Sequence, residues 1–503
     1  MKRILFALLF VAGSANAAIV DVEKLNQVLK KTNAGWVAKT NELNELSIGE
    51  AKMHFGLAKP VDSVRFSLPQ KMTPQVAGLP AVLDWRNKDG VNWVSPVLDQ
   101  GNCGSCVAFA SIATLETQYK ISTGFSNFNI KLSPQSLFSC GGGHCDFGWQ
   151  PASAARYIQS SGVPEESCMP YTAGATGKDA ACSARCADAP ARSVKIASFT
   201  TPTRTTLDVN AVKTALQNGP LVTTLGVYAD FMVYSSGVYK HTTGELEGGH
   251  AVSIVGYDDN QQAFIIRNSW NTSWGEQGFA YVAYSDYSGV GDDTWQYVMP
   301  SLAGGVSTES PMDYTYVTGK LPVQANSTFG GTDSITYSIF DANNKSVAGG
   351  MCTGANCTDT VDVSTFADGR YEIETYAMGA NGQQLGHSVR QFFYVANSKP
   401  ALNLTFTGTN GTDLRQPLKD RIEVAVTATS SSVPMSSVEF HYRGADGVDN
   451  SRAADVVVSG MTMGWRTNLG PNGSYEIWMV GHVKTTGFDQ VYETPHMTVT
   501  VAN

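Results

Sequence analysis

Beyond its first residues this chain of 503 amino acids has no apolar run approaching the ~18–20 residues that a membrane-crossing helix needs. It also lacks an excess of positive charge. Lys and Arg number 35 against 44 Asp and Glu, a net charge of −9 that offers no electrostatic footprint for a polyphosphate partner and argues against nucleic acid. No tract is of low complexity, and with 42% hydrophobic residues the chain reads as globular throughout. Histidine is scarce: only His54, His144, His241 and His250 occur before residue 301, so the cysteines of that half have no histidine-rich partner segment with which to build a metal site. No metal or other cofactor is called for.

What is present begins with MKRILFALLFVAGSANA, where Lys2 and Arg3 precede an apolar stretch that ends in the small residues Ala15 and Ala17. This is the pattern of an export signal cut after Ala17 (residues 1–17), and it implies a secreted product, with the periplasm as the alternative. Disulfides persist in such compartments, so the 9 cysteines are read as pairs plus one. Cys352 and Cys357 stand apart and are expected to bridge each other. Cys103, Cys106, Cys140, Cys145, Cys168, Cys182 and Cys186 remain, an odd set that leaves one free thiol.

At roughly 100–200 residues per domain the length calls for about three folded units. Apolar residues from Val22 to Leu46 recur at helical spacing and predict a helix there. From Pro80 to about Pro300 a helix over Cys106 to Ser122, expected to be amphipathic, mixes with strands such as HAVSIVGYD, an α+β pattern. The Gly, Ser and Pro of residues 301–313 read as a linker. Beyond it come short alternating segments in two units, 314–397 and 398–503, which share Gly-x-Tyr-Glu-Ile around Tyr371 and Tyr475 and end in matching Val-Ala-Asn triplets. An internal duplication of all-β, immunoglobulin-like sandwiches is expected, with the Tyr placed as in a tyrosine corner. These units carry no catalytic signature; binding a surface ligand, spacing and stabilisation all stay open for them.

The chemistry concentrates in three segments. Cys106, in QGNCGSC, opens a predicted helix, whose N-terminal amides and dipole favour thiolate over thiol. A bridged or buried structural role is the ordinary fate of an exported cysteine, and the neighbouring residues decide against it. QGNCGSC, EGGHAVSIVGYD and RNSWNTSWGEQGFAYV together resemble the papain and cathepsin family over most of Gln100 to Gly278. The resemblance implies a two-lobed catalytic domain over 80–300, a helical lobe beside a β-barrel-like lobe. It implies Cys106 as nucleophile, His250 as base, Asn268 as the residue orienting His250, Trp270 as its shield and Gln100 in the oxyanion hole. It places Gly104, Gly148, Trp149, Gly249 and Trp270 along the substrate cleft. It pairs Cys103 with Cys145, Cys140 with Cys182 and Cys168 with Cys186, and it makes polypeptides the substrates.

LPAVLDWRNKDG from Leu79 resembles a mature cathepsin B or C start, and Trp36-Val-Ala-Lys-Thr-Asn41 matches the W-x-A-x-x-N pattern of a short propeptide. Residues 18–79 are therefore expected to be an inhibitory propeptide lying backwards through the cleft of a zymogen. No histidine falls between Cys145 and Lys240, so a His-His occluding loop is missing, and about sixty residues leave no room for an exclusion domain. Endopeptidase is the default reading. The alternatives are an inactive adhesion or carbohydrate-binding protein on this fold, and a Cys-His acyltransferase. Val107 replaces the aromatic residue usual after the nucleophile, and CDFGWQP puts Phe147 at the first glycine of the family's C-x-G-G segment.

Overall fold

The computed structural model describes residues 19–58, 78–128, 130–301, 304–313 and 315–397. Of the remainder it describes 402–408, 412–419, 421–430, 437–445, 447–454, 462–467, 471–484 and 489–503. The expected signal, 1–17, lies outside the described residues.

The N-terminal helix is shorter than its periodicity suggested. It spans Val22–Thr32, started by the Asp21 side chain accepting from the Lys24 amide and stopped by Asn33 in the left-handed region at φ 53°. Leu25 and Leu29 bury its apolar stripe. Trp36–Ala38, expected as helix, is instead a strand antiparallel to Tyr234–Tyr239. Apolar residues at positions 36 and 38 suit a half-buried strand, and Tyr234–Tyr239 offers an edge that satisfies their backbone groups. The Trp36 indole sits 5.2 Å from the Tyr239 ring and donates to the Lys240 carbonyl at 3.0 Å. The Asn26 side chain makes paired hydrogen bonds with Ala38, and Asn41 donates to the Met232 carbonyl. Each defined residue of the W-x-A-x-x-N pattern thus has a mechanical use.

Residues 78–301 form two lobes. One gathers the helices Cys106–Thr123, Pro134–Gly141 and Pro151–Ser160 around a core that includes Leu115, Leu137, Phe138 and Ile158. The other is built on a strongly bent sheet ordered Trp36–Ala38, Tyr234–Tyr239, Phe279–Ala283, Ala263–Arg267, Leu246–Asp258, Leu221–Tyr228, Thr294–Val298, Ser198–Thr200, with Val82–Asp84 added to Leu246–Asp258. Its core holds Phe231, Tyr239, Phe264 and Trp274.

Cys106–Thr123 is not amphipathic as expected: 15 of its 18 residues are buried, because the helix runs between the lobes and meets protein on every side. Several of its polar members find partners inside the protein. Glu116 accepts from the Leu132 amide, Gln118 donates to the Tyr297 carbonyl, and the Thr114 hydroxyl pairs with Ser253.

The C-terminal region is all strand. In its first unit a sheet of Val306–Ser310, Lys320–Ser327 and Asn356–Asp362 faces a larger one ordered Thr315–Val317, Gln391–Val395, Gly369–Gly379, Thr332–Phe340, Ser346–Thr353. Leu321 and Val323 from one sheet meet Ile335, Ile373 and Phe393 from the other. Part of the segment expected as linker is thus a strand. Its composition misled because Thr308 is buried yet satisfied, bonding the hydroxyls of Thr375 and Ser388. The second unit repeats the plan, with Gly473–Lys484 central and Ile477, Met479, Phe440 and Trp465 in its core. Among the described residues no helix is long and apolar enough to cross a membrane.

Candidate active site

The helix Cys106–Thr123 begins at the junction of the lobes, so Cys106 stands at its N-terminus facing the strand Leu246–Asp258, which carries His250. Cys103–Cys145 ties the loop before the helix to the cleft wall, and Cys140–Cys182 and Cys168–Cys186 staple the rest of the helical lobe. Cys352–Cys357 bridges the turn between Ser346–Thr353 and Asn356–Asp362, which belong to the two different sheets of the first β unit, and Cys106 is free and buried.

His250 is held by Asn268. Its Nε2 lies 2.8 Å from Asn268 Oδ1, an oxygen that also accepts the Ser269 amide at 2.8 Å. A backbone N–H can only donate, so the atom it meets is the amide oxygen, and His250 must carry its proton on Nε2. That leaves Nδ1 with its lone pair, buried and without a hydrogen bond. Trp270 covers the contact, stacked 4.6 Å from the imidazole and 4% exposed.

Gln100 is fixed just as firmly. Its Oε1 accepts from the Ser269 hydroxyl at 2.7 Å, and its Nε2 donates to the Cys103 carbonyl at 3.0 Å, so both ends of the amide are held. Ser269, adjacent to Asn268, therefore bonds both Asn268 and Gln100. Sequence reasoning passed over it; its only signal was its place inside RNSW. Tyr171, likewise missed, donates to the Gln100 carbonyl at 2.7 Å and accepts from the Ser105 hydroxyl at 2.7 Å, tying down the turn into the helix.

The cleft between the lobes is filled by residues 54–58 of the N-terminal segment. Trp149 donates its amide to the Gly56 carbonyl and accepts from the Ala58 amide, a parallel pairing centred on Leu57, while the Leu57 amide donates to Gly249 on the opposite wall. Phe55 packs on His250 and Trp270, and the Trp270 indole donates to the His54 carbonyl. Gly104, Gly148, Trp149, Gly249 and Trp270, the residues expected along the cleft, all touch this strand. Gly56 crosses so close to Gly104 that a Cβ would overlap the Gly104 carbonyl, and a Cβ on Gly148, itself at φ 71°, would overlap the Gly56 carbonyl.

Phe147 stands beside this wall 76% exposed, its ring edge-on to His144, whereas Val107 is buried in the helical-lobe core. His241, another histidine of the same region, has its Nδ1 on Asp230 at 3.0 Å.

Burial dominates the electrostatics. It pushes the Cys106 thiol up to about 12, although the amides of Ala251, Gly56 and Val107 pull the other way. It drives the His250 imidazole down to about 4 against the opposing hydrogen bond from Asn268. With the strand in place both groups are neutral.

A family model described as papain family cysteine protease matches residues 79–294. Cathepsin B-like CP3 of Giardia intestinalis is 36% identical over 288 residues, 54% of this chain and 91% of that protein. Cathepsin B-like CP2 of the same organism is 34% identical over 281 residues, again 54% and 91%. Among solved structures, proCathepsin B S9 from Trypanosoma congolense aligns with 24% identity and a TM-score of 0.47 over 56% of this chain and 99% of its own. This chain belongs to the papain family of cysteine proteases. The family match ends before the all-β units begin.

Proposed function

We propose that the chain is the exported zymogen of a cysteine endopeptidase, with Cys106 as nucleophile, His250 as base and acid, Asn268 orienting the imidazole and Gln100 in the oxyanion hole. The observation that carries it is the extended segment 54–58 pairing with both walls of the cleft directly over Cys106 and His250. When that strand leaves, water and the imidazole stabilise a thiolate, which attacks the scissile carbonyl. The oxyanion meets the Cys106 amide and the Gln100 side chain, the imidazolium protonates the leaving amine, and water then releases the acyl group. The parallel run of residues 54–58 along Trp149 supports an inhibitory role for 18–79, since a segment lying against the direction of a substrate presents its bonds out of line for attack.

Secretion rests on the pattern of residues 1–17 and on four disulfides, which suit an oxidising compartment. The immunoglobulin-like reading of the C-terminal units is supported by two facing sheets and by matching corners, where the Tyr371 hydroxyl donates to the Ala367 carbonyl and that of Tyr475 to Pro471, each four residues back.

Acid treatment of the precursor should yield an enzyme that degrades denatured protein and cuts a fluorogenic peptide blocked at both termini. Cleavage confined to peptides with a free end would overturn the endopeptidase reading, and no cleavage at all would overturn the peptidase reading.

The release step carries its own pH dependence. A His250 held down near 4 in the closed state, from an ordinary value of 6.5, favours closure above that ordinary value and loses this contribution as the pH falls. Measured on the Cys106→Ala protein, where no thiolate shares the proton of the open imidazole, the dissociation constant of an added 18–79 peptide should rise about tenfold per pH unit between about 6 and 4. A flat profile would remove His250 as the cause.

Asn268→Ala should lower kcat by roughly 10–100-fold with KM nearly constant, because Asn268 touches the imidazole and not the substrate. A change confined to KM would contradict that role.

A further inference from the structure

The first β unit does not hang from the peptidase. It is seated on the helical lobe through charged side chains that are themselves mostly covered. Arg192 of the peptidase pairs with Glu372 at 3.1 Å and with Glu165 of its own lobe, at 11% exposure for the arginine and 2% for Glu165. Arg390 of the β unit, 12% exposed, bonds Glu374 at 2.8 Å, lies 3.5 Å from Glu372 and reaches Asp188 at 3.9 Å. The Arg370 guanidinium donates to the Ser167 carbonyl at 3.0 Å. Around this network the Thr328 hydroxyl donates to the Thr123 carbonyl at the end of the central helix, Gly305 approaches Thr123 closely, and Val389 packs against the helical-lobe core. A mobile tether would leave such groups solvated; here carboxylates and guanidinium groups from both partners are desolvated and matched in sign.

The peptidase residues gripped in this way lead to the active site. Glu165 and Ser167 flank Glu166, whose carboxylate accepts the Tyr171 amide at 2.8 Å. Tyr171 in turn holds the Gln100 carbonyl and the Ser105 hydroxyl, each at 2.7 Å, immediately before Cys106. The Cys168–Cys186 bond and the hydrogen bond from the Asn102 amide to the Gly174 carbonyl stiffen the same path.

We propose that the face formed by Glu165, Ser167, Asp188 and Arg192 is a docking surface for this chain's own first β unit, and that the docked unit keeps the Glu165–Tyr171 segment, and through it the oxyanion loop, in position. The unit is on this account a standing part of the enzyme and not a tail to be shed on activation. Tyr171 is a positioning residue, since it acts on substrate only through Gln100.

The test uses the full chain carrying Arg370→Ala together with Arg390→Ala, and separately the near-isosteric Glu372→Gln. The unaltered protein should show one calorimetric transition for the peptidase and first β unit and should resist nicking in 301–313. The double variant should resolve two transitions and release the C-terminal region on brief proteolysis, with Glu372→Gln intermediate. Once titrated for active sites, the double variant should lose about 5–10-fold in kcat on a short peptide with KM unchanged. A single transition with intact 301–313 in both variants would overturn the docking. Separated transitions with an unaltered kcat would overturn the positioning role. The kinetic half rests on the peptidase reading, but the docking half is read without any activity, so the two can fail apart.

Discussion

Cys106→Ala should abolish turnover while leaving the fold intact: kcat/KM on a peptide substrate should fall by about 10⁵–10⁶, the scale seen when the nucleophile of a triad is removed. The residue is small, stapled into place by the neighbouring Cys103–Cys145 bond, and contributes its sulfur to no disulfide, so the replacement deletes a reactive atom and little packing. Alkylation adds a second, independent reading. In the precursor the thiol is buried and pushed up to about 12, so iodoacetamide should label it slowly at neutral pH. After the N-terminal segment is removed, labelling should accelerate by orders of magnitude and should vanish in Cys106→Ala, the other cysteines being bridged. Fast labelling of the intact precursor would contradict a sealed cleft. Equal activity of variant and parent would remove Cys106 from the chemistry.

The second large effect lies in the N-terminal segment itself. Gly56→Ala should weaken inhibition by the 18–79 peptide by about 100-fold or more, about 2.7 kcal/mol. The reason is steric: backbone faces backbone at this crossing, with Gly104 on one side and Gly148 on the other, and neither has a side chain that could swing aside. The same replacement in the precursor should produce activity and labelling of Cys106 before processing. Leu57→Ala provides the contrast, since the Leu57 side chain lies against Gly249 and its truncation removes burial without adding an atom to the crossing. If Gly56→Ala inhibits as well as the parent peptide, the strand does not take this path through the cleft in solution.

Much of the site was legible because it is written in residue types whose order is local to short segments. QGNCGSC, the histidine segment and RNSW each carry their signature within a few residues, and the odd cysteine count requires a free thiol whatever the pairing. What failed was the reading of segments whose structure depends on distant partners. Trp36–Ala38 looked helical because Val28, Leu29 and Trp36 continue a helical spacing, but its indole bonds Lys240, 204 residues away. The central helix was expected to have a polar face because Thr114, Glu116 and Gln118 interrupt the apolar residues, yet each of them finds a buried partner. Residues 301–313 read as linker because Gly, Ser and Pro are usual in loops, and Val306–Ser310 is instead a strand in which the Thr308 hydroxyl is satisfied from across the unit.

The sequence by itself determined the inventory: a cysteine at the mouth of a helix, a histidine on a strand, an asparagine and a glutamine nearby in the motif, and enough cysteines to bridge all but one. Periodicity and composition report local preference, so they could name these groups and the α+β and all-β character of the regions. Only the tertiary structure decided what closes the cleft, through Gly56 crossing Gly104; what holds the oxyanion loop, through Ser269 and Tyr171; and where the first β unit sits, through Arg192, Glu372 and Arg390. These contacts join residues dozens to hundreds of positions apart, and their free energy comes from burial and from matched polar groups that exist only once the chain has packed.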